Sequence, residues 1–430
     1  MTYLQYLYDQ TVYNSRLLLE LAIGIVFILY CLKLQATPHS LHTIQASSFN
    51  ASTSQIHGVV PCVPPYCHYE CQTEYILPYH VIEGMNYELL QRTPTPLVCQ
   101  HKNTTLTFHP IVFGVIDDNM ISTQCMPRKE LVMAPVVAGR TDTYKFGWQD
   151  EYDYYRSYRI SMFGHTKKKA GWDCNRHYEI ISQGAAPWFD QLEQSNQHTM
   201  MHLPKDLLLQ IRDLLPEYTT TQSTVELPSS FDHGLYWQLL QRLMHYTANR
   251  LTTTALARYM LQVSNNDAAQ QVLFVSHTGA DYMKDQLLHG FTKLYGHNCT
   301  TYLPPQFLYS ASRPGRMYPE PPDLYGKGFS YRGRLESYYD CYQRDAQLTM
   351  QDVQSRIRAH EFDVIIFGSI HRENQLLPYA VQHYDRQHIL MLDGEDIQTG
   401  ADWHERRINW AKQGTYFLRE FNSDVDCNVL

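Results

Sequence analysis

Positive charge is in short supply in this chain: 35 Lys and Arg stand against 43 Asp and Glu, a formal net charge of -8, and no long basic face runs through it. Affinity for nucleic-acid backbones comes mainly from clustered Lys and Arg, so no nucleic-acid partner is expected. Charge of either sign is modest, 18% of residues against 44% hydrophobic, which excludes intrinsic disorder over most of the length. Long apolar runs are scarce too. The one at residues 17–32 carries Glu20 as its sole charge, and it falls a little short of the about 20 residues that a bilayer-spanning helix needs. Paired C-x-x-C units are missing, which argues against a zinc ribbon. No internal repeat is present.

What is there begins with that apolar run. Its n-region is long, weakly basic and contains Asp9, so a signal anchor is expected, with a cleaved signal peptide ending near Ala36 as the alternative and a buried core helix as the third reading. Three acceptor sequons, at Asn50, Asn103 and Asn298, favour the secretory route. Cysteine usage points the same way, because Cys62, Cys67, Cys71, Cys99 and Cys125 crowd one region as in an oxidised stem. The expected location is the Golgi or endoplasmic reticulum membrane, single-pass, with the body in the lumen and the N-terminal helix in the membrane.

A chain of 430 residues exceeds what one hydrophobic core usually organises. The boundaries read from composition are residues 1–36 for tail and anchor, 37–108 for a Cys- and Pro-rich stem or cap, 109–265 for a first α/β lobe, and 266–430 for a second. Short apolar runs at 111–116 and 131–137 suit buried strands, and 235–263 is a long amphipathic stretch without Pro or Gly. The final third alternates strand and helix: apolar strands at 272–276, 363–368, 389–392 and 416–418 enclose helical patterns, with Gly296 as a stop and Thr349 to Asp352 as a capping box. That alternation predicts a doubly wound, mostly parallel sheet. Ligands of such sheets sit at the carboxyl ends of the strands, which singles out the loops at His277, at 369–371 and at 393–396.

The densest cluster of chemistry-bearing residues is FGHTKKKAGWDCNRHYEIISQGAAPWF, residues 163–189. Lys167, Lys168 and Lys169 lie beside a Gly-containing turn that leads into a helix, where amide N–H groups, a positive helix end and ammonium groups favour a diphosphate. Arg176 and Glu179 are three apart on that helix and share a face. A guanidinium forks onto phosphate oxygens and a carboxylate accepts from ribose hydroxyls. A solvated helix with a surface ion pair is the competing reading.

Arg176, His177, Tyr178, Glu179, Gly184 and Pro187 together resemble the R-x-x-E…G-x-x-P segment of exostosin-like and CgeB-like glycosyltransferases. The resemblance extends to Tyr154, Tyr155, Arg156 and Ser157, to PKDLL from Pro204, LYGKGFSY from Leu324, FDVIIFGSIHR from Phe362 and LDGED from Leu392, covering residues 110–421. It implies a two-Rossmann (GT-B) architecture with the halves in reversed order, and transfer of a sugar from a nucleotide donor to a glycan or protein acceptor. It also implies that Arg176 and Glu179, with Gly184 at the turn, border the donor nucleotide and that Lys168 and Lys169 lie near its phosphates. No cofactor and no metal are expected. A catalytically inactive carbohydrate-binding or assembly protein on the same scaffold is the alternative.

For the base that activates the acceptor hydroxyl, His277 and Asp281 after the first strand and His371 after Gly368 have suitable chemistry. Asp393, Glu395 and Asp396 form the sharpest acidic cluster, read first as a strand-end turn and alternatively as ligands for a divalent cation bridging a diphosphate.

Overall fold

The runs VLFV, VIIF and ILML, the last followed by Asp393, consist of apolar side chains, and every residue in them is buried. Such runs have no polar face to offer water, so they form central strands covered on both sides. In the computed structural model, which describes residues 71–72, 76–147, 149–216, 218, 226–309, 324–396 and 401–421, they do so. The described strands are β1 (Cys71–Gln72), β2 (Leu97–His101), β3 (Thr104–Pro110), β4 (Met126–Pro127), β5 (Leu131–Met133), β6 (Ser161–Thr166), β7 (Ala186–Phe189), β8 (Val272–Val275), β9 (Cys299–Tyr302), β10 (Val364–Phe367), β11 (Ile389–Asp393) and β12 (Thr415–Leu418). The fold is α/β, and the described residues belong to one compact unit, Val60–Leu430.

The larger sheet has the order β2-β3-β12-β11-β10-β8-β9. All of its neighbours pair parallel except the edge strand β2, which runs antiparallel to β3. From β8 the chain steps outward to β9 and then returns to the other side of β8 as β10. Strand order therefore reverses between β8 and β10, the place where open sheets leave a crevice beyond their carboxyl ends. The smaller sheet, β5-β6-β7, is also parallel. Helix Asn175–Ser182 lies so close on β6 that a Cβ at Gly164 would stand 2.8 Å from the Ile180 side chain.

Helix boundaries follow local chemistry. Thr349 and Asp352 bond reciprocally in a capping box at helix Met350–Arg358. Gly296 ends helix Tyr282–Tyr295 with φ +54°, a backbone conformation that costs glycine little. The amphipathic stretch at 235–263 is two helices, His233–Arg250 and Thr253–Val263, because Thr252 turns outward as an N-cap and accepts from Ala255 N.

Two segments differ from the sequence reading. Residues 97–110, assigned to a stem or cap ending at 108, contribute β2 and β3, so that boundary falls inside β3 of the larger sheet. The alternation that marks β3 is carried by Leu106 and Phe108 among Thr and His, a weak signal beside the wholly apolar strands. Residues 111–116 are buried but form no strand; a single bridge joins Val115 to Thr252, and Phe113 N donates to the Asp173 carboxylate.

Cys99 and Cys125 are disulfide-bonded, while Cys174, Cys299 and Cys341 carry free thiols. Among the described residues no helix is long and apolar enough to cross a membrane. The expected anchor at 17–32 and the sequon at Asn50 lie outside the described residues.

Candidate functional site

Three loops of the larger sheet meet beyond the carboxyl ends of β8 and β10, where the strand order reverses. Asp281 caps helix Tyr282–Tyr295 by accepting from Lys284 N through Oδ1. Its Oδ2 lies 3.7 Å from His277 Nε2 and 3.5 Å from Arg372 Nε, and the same Nε donates to Glu395 Oε1 at 2.8 Å. His277 and Asp281 come from the loop after β8, Arg372 from the loop after β10, and Glu395 from the loop after β11. Burial alone would raise the Asp281 carboxyl, but the nearby His277 ring and the Arg372 charge outweigh it and bring it down to about 2. Asp281 is therefore an anion that can hold the His277 ring in one orientation. Beneath it, the buried Lys284 ammonium donates to the carbonyls of His277 and Gly279, 2.8 Å each, and pairs with Asp285 at 2.7 Å. Asp285 also accepts from Asp281 N, and burial pushes its carboxyl up to about 6. These bonds fix the loop that carries His277.

His371 belongs to a different environment. Its side chain is 4% exposed, lies 3.0 Å from Asp393, and packs on Trp403 and Trp410 with ring centroids 4.2 and 4.7 Å away. Asp393 in turn takes Arg407 Nε at 2.7 Å and the Tyr416 hydroxyl at 2.9 Å. Burial would raise that carboxyl as well, yet the charge of Arg407 and the His371 contact hold it far below the usual range. The acids of 393–396 do not converge. Asp393 pairs with Arg407, Glu395 with Arg372, and Asp396 with Arg419 at 2.6 Å.

The carboxyl end of the smaller sheet meets this end of the larger one. After β6 the chain runs through residues 167–174, where exposed Lys168 lies over the Trp172 ring and exposed Lys169 donates its N–H to Gly171 O. The loop is then fastened to the end of β12. Arg419 donates to Asp173 O at 2.7 Å, to Gly394 O at 2.8 Å and to Asp396, and it is 2% exposed. Glu420 accepts from Asp173 N through Oε1 and from the Thr199 hydroxyl through Oε2. The Asp173 carboxylate accepts from Phe113 N and from the Tyr178 hydroxyl, and burial, against the pull of Arg419, pushes it up to about 7.

Arg176 and Glu179 sit on helix Asn175–Ser182, which follows that loop. Glu179 is buried and accepts from the Tyr154 and Tyr155 hydroxyls and from Asn175 Nδ2, at 2.7, 3.3 and 2.9 Å. The Arg176 guanidinium lies beside the phenols of Tyr158 and Tyr154, with its buried Nε lacking a hydrogen-bond partner. Their helix touches helix Tyr282–Tyr295 of the larger sheet's layer, where Gln286 Nε2 donates to Asn175 Oδ1 at 2.6 Å. Tyr282 packs edge-on against Phe113 and stacks on Tyr325. Gly184 stands past the opposite end of the Arg176 helix, with φ +69° and its carbonyl taken by Lys129 Nζ, so its part is in the turn.

Sequence reasoning missed Asp173, Arg372, Arg419 and Glu420. Arg372 and the Arg419–Glu420 pair directly follow named apolar strands or their loops, and a charge placed there was the available signal. No family model matches the chain, and no curated protein and no solved structure matches it.

Proposed function

We propose that the chain is a glycosyltransferase of GT-B-like architecture that moves a sugar from a nucleotide-sugar donor to a glycan or protein hydroxyl in the secretory pathway, without a metal. The observation that carries the reading is the His277, Asp281, Arg372 and Glu395 group at the strand-order reversal, with the loop that carries Lys168 and Lys169 fastened through Arg419 to Asp396, next to Glu395 in the chain. In this reading His277, oriented by Asp281, takes the proton of the acceptor hydroxyl as its oxygen bonds to the anomeric carbon. The bond from that carbon to the diphosphate oxygen breaks, and the nucleoside diphosphate leaves with the electron pair. Arg372, with Lys168 and Lys169, balances the charge that develops on it. Arg176 and Glu179 contact the nucleotide, Glu179 after exchanging a tyrosine hydroxyl for a ribose hydroxyl. Two half-cystines and exposed sequon asparagines at 103 and 298 support a luminal body. Incubating the full chain with a panel of UDP- and GDP-sugars, with and without EDTA, tests the reading: chelator-insensitive turnover of one donor is expected, and no turnover of any donor with any acceptor contradicts it.

One observation favours a second reading, a carbohydrate-binding protein without turnover. The Glu179 carboxylate already accepts three hydrogen bonds from its own chain. Saturable binding of a nucleotide-sugar or glycan with no product formed selects this reading over the first.

A further inference from the structure

We propose that His297, Asp340 and Cys341 form a binding site for a divalent cation that prefers thiolate and imidazole, with zinc as its natural occupant. The site lies beside edge strand β9, away from the crevice, and does not depend on the transferase reading. His297 stands in the turn Gly296–Asn298 before β9, and Asp340 and Cys341 open helix Tyr339–Asp345. Cys341 Sγ is 3.5 Å from His297 Nδ1. Zinc bonds of about 2.3 Å to sulfur and about 2.0 Å to nitrogen, at a tetrahedral angle, place those two atoms about 3.5 Å apart. Asp340 Oδ2 is 3.5 Å from the other ring nitrogen, and one donor atom from each of the three residues lies within 4.8 Å of the others. An imidazole gives one nitrogen to an ion, so Nδ1 binds with the thiolate while the exposed Asp340 side chain swings to supply an oxygen.

The donor set decides the class of ion. Sulfur, nitrogen and one carboxylate suit zinc, whereas calcium and magnesium take oxygen ligands. The frame is fixed without the metal: Arg344 donates to the carbonyls of His297 and Cys299 at 2.8 and 3.2 Å, and Asp345 accepts from Thr301 N at 2.7 Å. Arg344 is itself paired with Asp345 at 2.7 Å, which reduces its repulsion of a nearby cation. His297 and Asp340 are exposed while Cys341 is buried, so the site opens on one side, where water completes a tetrahedron. Only the thiolate of Cys341 binds the ion, so binding releases its proton and strengthens as pH rises.

Cobalt(II) added to the full chain with its disulfides intact tests the site, because a thiolate ligand gives a sulfur-to-cobalt charge-transfer band and tetrahedral geometry gives intense visible bands. The expected result is one equivalent bound with both features, displaced by zinc, absent in Cys341→Ser and in His297→Gln, and weakened at least about tenfold in Asp340→Asn. Melting curves without metal show that the variants are folded. Absence of the charge-transfer band in the wild-type chain overturns the proposal. So does a band that survives in Cys341→Ser, where the thiols of Cys174 and Cys299 remain.

Discussion

Two arginines stand at the carboxyl ends of the larger sheet, and the chain uses them in opposite ways. Arg419 is 2% exposed and spends its guanidinium on Asp173 O, Gly394 O, Asp396 and Glu420. Arg372 is 37% exposed and engages Glu395 and Asp281 through Nε. The first is a fastening: its partners come from the loop after β6 and the loop after β11, so it joins the two sheets. The second is held by a pair of acids beyond the carboxyl ends of β8 and β10, with part of its charge open to solvent. Buried cations of the first kind are costly to disturb, while part-exposed ones contribute little to stability and can meet a ligand.

Replacing each arginine should separate these roles. Arg419→Ala leaves Glu420 and the raised Asp173 buried without their cation, and a loss of about 3–5 kcal/mol is expected by denaturant unfolding. A loss under about 1 kcal/mol would place the fastening elsewhere. His277→Gln keeps the loop bonded through Lys284, so stability should hold while turnover of the accepted donor falls by about a hundredfold or more. An unchanged turnover number removes His277 from the reaction. Arg372→Ala should leave the melting temperature nearly unmoved and weaken nucleoside-diphosphate binding by about ten- to a hundredfold, the worth of a charge-assisted hydrogen bond to phosphate.

The smallest effect concerns pH. Burial lowers His165, His202 and His289 to about 4 and His177 to about 3, whereas unfolded histidine titrates near 6.5. Between those values the unfolded chain binds more protons, so stability present above pH 6.5 is lost as pH falls toward 4. Asp173 and Asp285, raised to about 7 and 6 by burial, work the other way: they hold protons in the folded chain that the unfolded chain has released, and acidification relieves that cost. With His109 lowered likewise to about 4, five histidines stand against these two acids and Glu179, which burial also raises, and melting temperature falls from pH 7 to 5. Asp173→Asn removes one opposing group and should steepen that fall; an unchanged profile in the variant would mean Asp173 is ionised in the folded state.

The same contrast explains how much was legible beforehand. Strands β8, β10, β11 and β12 announce themselves because burial on both faces leaves them almost wholly apolar, with Asp393 at the end of β11 and Thr415 at the start of β12 as the exceptions. The Thr349 box and the Gly296 stop are local chemistry within four residues and equally readable. Partner choice is not local. Arg419 finds Asp173 across 246 positions and Glu420 finds Thr199 across 221, and a sequence displays the kind of charge without its distant partner. The acidic cluster at 393–396 shows the consequence: three carboxylates adjacent in sequence are drawn to three different arginines. β2 and β3 were obscured for another reason, since an edge hairpin with one wet face keeps Thr, Gln and His among its apolar residues.

The central claim is that the crevice after β8 and β10 receives a diphosphate at Arg372. Calorimetric titration of the wild-type chain and of Arg372→Ala with UDP and with GDP tests it most directly. The account predicts saturable binding of one nucleotide by the wild-type chain and at least about tenfold weaker binding by an equally stable variant; equal affinity in the two proteins, or no binding of either nucleotide to the wild-type chain, would contradict it.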